Sequence, residues 1–453
     1  MNEKGVSEEE LFAQLSSFSN ADTNFKKVFS SMCTIPHPVA VAAQQQFSLS
    51  NIGDPGLFQG TSQMEAEVIR MSASLLGHPD SSSAFGHLTS GGTESNIEAV
   101  LHMKNRFLNS FSNAENAIEN AVENTVENTV ENTVENTVEN KSNNDQLNQF
   151  KPNLILPKTA HFSFEKIANL LDIELKKADI DSKFRAVPES MESLIDENTI
   201  GLIGIAGNTE FGGCDPVESL SKIAIKHNLP LHIDAAFGGF VYPFLPESDS
   251  SAKSSSMKGN NIKAGNKKIK FAFDLPGVTS VSIDPHKMGL SVIPGGILIF
   301  RNESVLYPSL DKIKVKTPYL TIKYQSTLTG TRPGSSVAAT YAVMKHLGAE
   351  GYRKNVAYCM DLTDYFQKEL NKIGLKPYIE PEINIITLHV GDGKDKTADR
   401  EKTEKIRAEL LEKYGWNVSA TKTVPALRFV LMPHVTKEDI TAMLSDLKEL
   451  LEI

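Results

Sequence analysis

The chain has 453 residues, a net charge of −10, and 40% apolar and 7% aromatic content, the profile of a soluble globular protein long enough for more than one subdomain. There is no apolar run of about 18 residues or more and no signal-peptide pattern at Met1-Asn2-Glu3-Lys4, which argues against a membrane span or export. The three cysteines, Cys33, Cys214 and Cys359, show no Cys-x-x-Cys spacing; they fit a reducing cytoplasm and weigh against a metal centre.

Residues 1–50 are expected to form an arm that wraps or completes the domains. Ser62-Gln63-Met64-Glu65 has the form of a capping box; Met64, Val68, Met71 and Leu75 follow on one helical face, with Gly77 as the stop. Next comes Leu88-Thr89-Ser90-Gly91-Gly92-Thr93-Glu94-Ser95, and after it Ile97, Val100, Leu101 and Lys104 at helical spacing. Glycines that turn the backbone into a helix start leave free N–H groups and the positive end of the helix dipole, which together suit a phosphate. No Walker lysine follows, and Gly201, Gly204 and Gly207 lack Gly-x-Gly-x-x-Gly spacing, so the phosphate belongs to something other than a nucleoside triphosphate or dinucleotide.

Between Asn109 and Gln149 lies a Val-Glu-Asn-Thr tandem repeat that holds eight acids against Lys141, net −7 of the −10. The remaining chain therefore has no strong acidic field. A period of four winds the valines around a helix of about 3.6 residues per turn, and Asn and Thr are poor helix formers, so a surface loop is expected. A second insert, Ser248 to Lys270, sets Lys253, Lys258, Lys263, Lys267, Lys268 and Lys270 against Asp249. Without interleaved aromatics it reads as a solvated loop and gives no reason to invoke nucleic acid.

His161 follows the apolar strand Leu154-Ile155-Leu156, and Asp215-Pro216-Val217-Glu218 has the form of a helix start with Asp as cap. Strands are expected at Thr199 to Ala206, Leu231 to Ala235, Val278 to Ile283 and Gly296 to Phe300. Asp234 ends the second of these, where open α/β sheets bind ligands. Its carboxylate can hold a pyridine nitrogen protonated; His232 and Asp234 as metal ligands are the weaker reading. After the third strand stands Asp284-Pro285-His286-Lys287, a lysine at the mouth of a buried strand, the setting in which an amine is desolvated and nucleophilic. Strands separated by helices imply a mostly parallel sheet covered on both faces. Beyond about Gly348 the pattern becomes helix, strand (Asn384 to Val390), helix (Lys402 to Glu412), strand (Ala426 to Met432) and helix (Lys437 to Leu451), a small α+β domain.

Taken together, the glycine turn, the histidine, the strand-ending aspartate and the His-Lys pair resemble the pyridoxal-phosphate enzymes of the aspartate-aminotransferase fold (fold type I). Gly53-Asp54-Pro55-Gly56-Leu57-Phe58-Gln59-Gly60-Thr61, Asp284-Pro285-His286-Lys287-Met288-Gly289 and Leu328-Thr329-Gly330-Thr331-Arg332-Pro333-Gly334-Ser335 place the resemblance with the group II amino-acid decarboxylases, and most of all the archaeal L-tyrosine/L-aspartate decarboxylases. The resemblance implies an arm at 1–50, a large cofactor domain at 51–348 interrupted by inserts at 109–149 and 248–270, a small domain at 349–453, and a cytoplasmic homodimer.

It also implies roles. Lys287 is the Schiff-base lysine, Asp234 pairs with the pyridine nitrogen, and His161 stacks on the ring. Ser90, Gly91, Gly92, Thr93, His286 and Ser282 surround the phosphate, Thr209 and Ala236 lie near the cofactor, and Arg332 binds the substrate α-carboxylate. Tyr319 and Tyr324 are candidates for returning a proton to Cα, as is Lys287 itself. The implied reaction is α-decarboxylation of tyrosine, giving tyramine for methanofuran, or of aspartate, giving β-alanine for coenzyme A. A carbon–carbon lyase of the sphingosine-phosphate lyase type and a glutamate decarboxylase are the alternatives.

Overall fold

A computed structural model describes residues 3–127, 151–246, 269–306, 314–391 and 393–452, with the backbone alone for 110–127. Most of the Val-Glu-Asn-Thr repeat and nearly all of the lysine-rich insert lie outside the described residues. The first four helices are α1 (Glu8–Ala21), α2 (Pro38–Gln46), α3 (Gln59–Leu75) and α4 (Gly92–Glu127). The chain divides into two compact units, Pro36–Ala357 and Met1–Ile35 with Tyr358–Ile453.

The larger unit is built on seven strands: β1 (Phe85–Thr89), β2 (Asn153–Pro157), β3 (Glu174–Ala178), β4 (Thr199–Ile205), β5 (Leu231–Asp234), β6 (Val278–Ile283) and β7 (Gly296–Phe300). Their order is β1-β7-β6-β5-β4-β2-β3. β3, β2, β4, β5 and β6 run parallel, and β7 is antiparallel to both its neighbours, so the expected mostly parallel sheet is present. Every residue of β2, β4, β5 and β7 is buried, the mark of strands covered on both faces. α4 packs on one face through Val100 and Met103, which join Leu154, Leu156, Ile203 and Ile205 in one apolar cluster.

Two helix starts differ from the sequence expectation. α3 begins at Gln59 with no side-chain cap, which puts Ser62 and Glu65 inside the helix. Glu65 instead accepts the Leu88 N–H at 2.9 Å. Likewise the helix Val217–Lys226 has Pro216 at its cap position and no side-chain cap. Asp215 turns away to accept the backbone N–H groups of Ala186 and Ile205, each at 2.7 Å. Both acids satisfy buried strand and loop donors, which water cannot reach, in preference to helix-end donors. α4 also runs on to Glu127, carrying helix into the start of the repeat where a loop is expected. Extending a formed helix costs far less than nucleating one, so weak formers can continue it.

The smaller unit has a three-stranded antiparallel sheet of Ile385–Leu388, Leu427–Val430 and Ser419–Ala420, with helices Lys396–Tyr414 and Lys437–Leu451. The N-terminal segment belongs to this unit because Phe29 is fully buried among Phe366, Trp416, Phe429 and Leu447. Its N–H donates to Asn417 O and its carbonyl accepts from Val430 N, both at 2.8 Å. Phe29→Ala removes a ring from a closed apolar cluster and is expected to cost about 3–5 kcal/mol. Urea unfolding of the variant measures it, and a loss under about 1 kcal/mol would contradict this packing role.

Candidate active site

The site begins with a period-two pattern. Alternation along a strand puts His232 and Asp234 on one face of β5 and Ser280 and Ser282 on the same face of β6. The register pairs His232 with Ser280 and Asp234 with Ser282. Four polar side chains thus sit buried in an apolar sheet, and α4 supplies the group that joins them. Asn96, 1% exposed, donates from Nδ2 to Asp234 Oδ2 at 2.9 Å. Its Oδ1 accepts from Ser282 Oγ at 2.9 Å and faces His232 Nε2 at 3.0 Å.

A carboxylate only accepts, so the amide orientation is determined: Nδ2 must face Asp234 and Oδ1 must accept from both other partners. His232 therefore carries its proton on Nε2, and Nδ1 accepts from Ser280 Oγ at 2.9 Å. Burial pushes the His232 pKa down to about 4 against an opposing pull from Asp234, so the ring is neutral. The second Asp234 oxygen, Oδ1, accepts from Ala236 N at 3.1 Å.

Past the end of β6 the chain turns through Asp284-Pro285-His286-Lys287. Lys287 Nζ lies 3.0 Å from Asp284 Oδ2, and both side chains are largely buried. His286 donates from Nδ1 to the Gly295 carbonyl and brings Nε2 to 3.9 Å from the same carboxylate oxygen. The start of α4 faces this turn: a Cβ on Gly92 would stand 3.1 Å from Asp284 Oδ2 and 3.1 Å from Ala236 Cβ, and one on Gly91 would stand 3.5 Å from His286 Cε1. Glu94 Oε2 accepts the Ser90 N–H at 2.6 Å, and Ser90 O accepts from Gly295 N at 3.1 Å, which holds the turn against the strand that follows.

His161 accepts the Ser163 N–H on Nδ1 at 3.3 Å, leaving the proton on Nε2 of the neutral ring. Burial lowers its pKa first of all; Asp234 and Asp284 oppose and Lys287 adds to the lowering, so these three groups lie within electrostatic reach of His161.

Among the sequence-derived candidates, Lys287, Asp234, His161, His286, Ala236, Gly91 and Gly92 are thus gathered about one place, with Ser90 and Thr93 exposed on the same turn. Ser282 is fully buried and engaged with Asn96. Thr209 is half-buried in the loop between β4 and the helix Val217–Lys226. Tyr319 and Tyr324 are 83% and 47% exposed, Tyr324 on and Tyr319 between the strands of the ribbon β8 (Val315–Lys316) and β9 (Tyr324–Gln325). That ribbon is pinned by the Thr321 N–H on Asp54 at 3.1 Å and the Gly56 N–H on Thr321 Oγ1 at 2.9 Å. Arg332 already faces a carboxylate, that of Glu65, with Nη1 at 2.6 Å and Nη2 at 3.4 Å, and Nη1 also donates to Leu88 O at 3.1 Å.

Sequence reasoning missed Asn96 and assigned no role to Asp284. The available signal for Asn96 was two polar residues at i, i+2 in each of two buried strands, a pattern that demands a buried polar partner.

No group of three or more His, Cys, Asp or Glu side chains able to hold a metal occurs among the described residues. Pyridoxal phosphate fits what is present. A helix start without side chains at Gly91 and Gly92 suits its phosphate, a desolvated lysine its aldehyde, and a buried carboxylate its ring nitrogen. Asp284 Oδ1, buried and with no hydrogen-bond partner among the described residues, marks the same spot as made for a further polar group.

The chain is similar to known proteins in sequence and in fold. Residues 130–382 match the pyridoxal-dependent decarboxylase conserved domain, and residues 319–447 match the aminotransferase class I and II domain. A probable L-tyrosine/L-aspartate decarboxylase of Methanosarcina acetivorans is 47% identical over 99% of both chains. A probable L-aspartate decarboxylase of Archaeoglobus fulgidus is 38% identical over 98% of this chain and 99% of its own. Among solved structures, a Burkholderia pseudomallei sphingosine-1-phosphate lyase aligns with a TM-score of 0.76 at 24% identity, covering 100% of this chain and 92% of that one. A Lactobacillus brevis glutamate decarboxylase aligns with a TM-score of 0.78 at 21% identity, covering 100% and 94%. These two likenesses are of fold alone. The chain belongs to the pyridoxal-dependent decarboxylase family and is a pyridoxal-phosphate-dependent carboxy-lyase that acts on an amino acid.

Two measurements test this geometry. Arg332→Ala leaves the Glu65 carboxylate buried without its cation and is expected to cost about 3 kcal/mol in urea unfolding; if Arg332 also binds the substrate carboxylate, Arg332→Lys raises KM, whereas an unchanged KM leaves it the Glu65 role alone. His232 and His102 both have pKa values pushed down to about 4 by burial. At these two sites the unfolded chain binds more protons than the native one between pH 6.5 and about 4, so their contribution to stability falls on acidification through that window, whereas Asp215, raised to about 7 by burial, contributes with the opposite sign. His232→Gln should flatten the slope; an unaltered slope would contradict a neutral buried imidazole.

Proposed function

We propose that this decarboxylase converts L-tyrosine to tyramine, L-aspartate to β-alanine, or both, with Lys287, Asp234 and His161 at the centre of the site. The substrate reading is supported by full-length relatives at 47% and 38% identity that carry those two names. The residue assignment rests on one observation: Lys287, Asp234, His161 and the first turn of α4 meet where β5 and β6 end. The products would then serve methanofuran and coenzyme A synthesis. A cytoplasmic homodimer is part of the same reading, carried over from the family resemblance; Cys33, Cys214 and Cys359 form no disulfide, and no helix among the described residues is long and apolar enough to cross a membrane.

When bound, pyridoxal phosphate supplies a pyridinium ring that takes up the electron pair left as carbon dioxide departs. The chain's own groups do the rest. The N–H groups at the start of α4, with His286, would hold the phosphate. Asp234, kept in direction by Asn96 and the Ala236 N–H, would pair with the ring nitrogen. His161, neutral and turned by Ser163, offers a flat apolar face. Asp284 orients the Lys287 amine, which would be the group to return a proton to Cα. Tyr319 or Tyr324 would serve in its place only after the exposed ribbon closes.

The purified protein assayed for amine release against the twenty amino acids should act on tyrosine, aspartate or both; release from glutamate alone would contradict the substrate reading. Lys287→Ala should lose the visible absorbance of the bound cofactor and all turnover while its circular dichroism stays native, and turnover near that of the parent would remove Lys287 from its role. Asp234→Asn should lose at least about a hundredfold in kcat, roughly 3 kcal/mol of electrostatic stabilisation. A loss of only a few-fold would mean that Asp234 serves another group.

A further inference from the structure

We propose that Asn96 is the positioning residue of this site: through its single N–H bond it sets the direction of the Asp234 carboxylate, and His232 and Ser282 in turn set Asn96. The inference deepens the proposed function and rests on its reading of Asp234 as the partner of the cofactor ring nitrogen.

Asn96 lies four residues into α4, behind the turn that faces the phosphate, and is 1% exposed. Of its two amide ends, the nitrogen has the Asp234 carboxylate and the oxygen has two donors, His232 Nε2 and Ser282 Oγ. Rotating the amide by 180° would set Oδ1 against the acceptor-only Asp234 Oδ2, and this repulsive contact opposes the flip and fixes the roles of His232 and Ser282. His232 is locked as well, because its other nitrogen accepts from Ser280 and burial keeps it neutral. The chain Ser280–His232–Asn96–Asp234 thus has one consistent arrangement of protons, anchored in two adjacent strands and a helix. A buried, fully connected network of this kind holds a carboxylate far more tightly than a single packed neighbour could. Ala236 N takes Oδ1, so both oxygens have one protein donor each, and each keeps acceptor capacity for a further proton-bearing group.

The role separates from plain structural support in a binding experiment that needs no turnover. Apoprotein is titrated by calorimetry with pyridoxal 5'-phosphate and with its 1-deaza analogue, in which a C–H replaces the ring nitrogen. Asp234→Asn should lose the parent's preference for the natural cofactor. Asn96→Ala should weaken natural cofactor binding about tenfold or more, the worth of one hydrogen bond to a charged group, while changing analogue binding little. If Asn96→Ala does not fold, Asn96→Asp, which keeps the size and the acceptor side but replaces the donor, serves in the same comparison.

Equal weakening for both cofactors in the Asn96 variant, with the Asp234 variant losing the preference as expected, overturns the proposal and leaves Asn96 as packing. An Asp234 variant that keeps the parent's preference overturns the ring-nitrogen reading itself, and the Asn96 role with it.

Discussion

A carboxylate 7% exposed at the end of a buried strand keeps its charge only where fixed dipoles replace the water it has lost, and Asp234 is in that position. Its two oxygens are met by the Asn96 amide and the Ala236 N–H. Much of the larger unit follows from this requirement. α4 must lie across β5 and β6 for Asn96 to reach Asp234, and once it does, its first residue, Gly92, falls against Asp284 and Ala236. The glycines at the helix start are therefore needed twice, for the turn and for the closeness of the Asp284 carboxylate and the Ala236 side chain.

Charge is arranged around that centre with few exposed groups. Lys287 meets Asp284 within its own turn, and the neutral rings of His161 and His232 both feel the Asp234 carboxylate. The acids of α4 tie down the segment that precedes Arg332: Glu98 accepts the Leu328 N–H at 3.1 Å and Glu94 accepts from Thr329 Oγ1 at 3.0 Å. With the Arg332–Glu65 pair beyond it, this segment is fastened at three points, while the ribbon that carries Tyr319 and Tyr324 is fastened to Asp54 and leaves both rings in solvent. The contrast between a fixed floor and an exposed ribbon suits a reaction that must exclude water after the substrate enters.

The parts legible in the sequence were those where one residue type has one physical use. Buried strands read as apolar runs, and β6 and β7 begin and end at the residues their pattern marks. The glycine turn, Asp234 and Lys287 carry chemistry that few other residues can carry. The parts that stayed hidden involve residues with several uses. Glu65 and Asp215 have the right spacing for helix caps, yet buried backbone donors and a guanidinium take them, and no local pattern reveals that competition. Arg332 beside a Gly-Thr and a Pro-Gly reads as a free fork, because its partner Glu65 is distant in sequence. Asn96 stands among Glu94, Ser95 and Glu98 as one more polar residue of a helix start, and its meaning appears only when β5 and β6 are set side by side.

The central claim is that Lys287 carries the cofactor in a pocket whose charge is set by Asp234. Borohydride reduction of the holoenzyme, followed by proteolysis and mass spectrometry, tests it most directly. A single peptide bearing a reduced pyridoxyl group on Lys287 is the predicted result; label on a different lysine, or spread over many, would contradict the account.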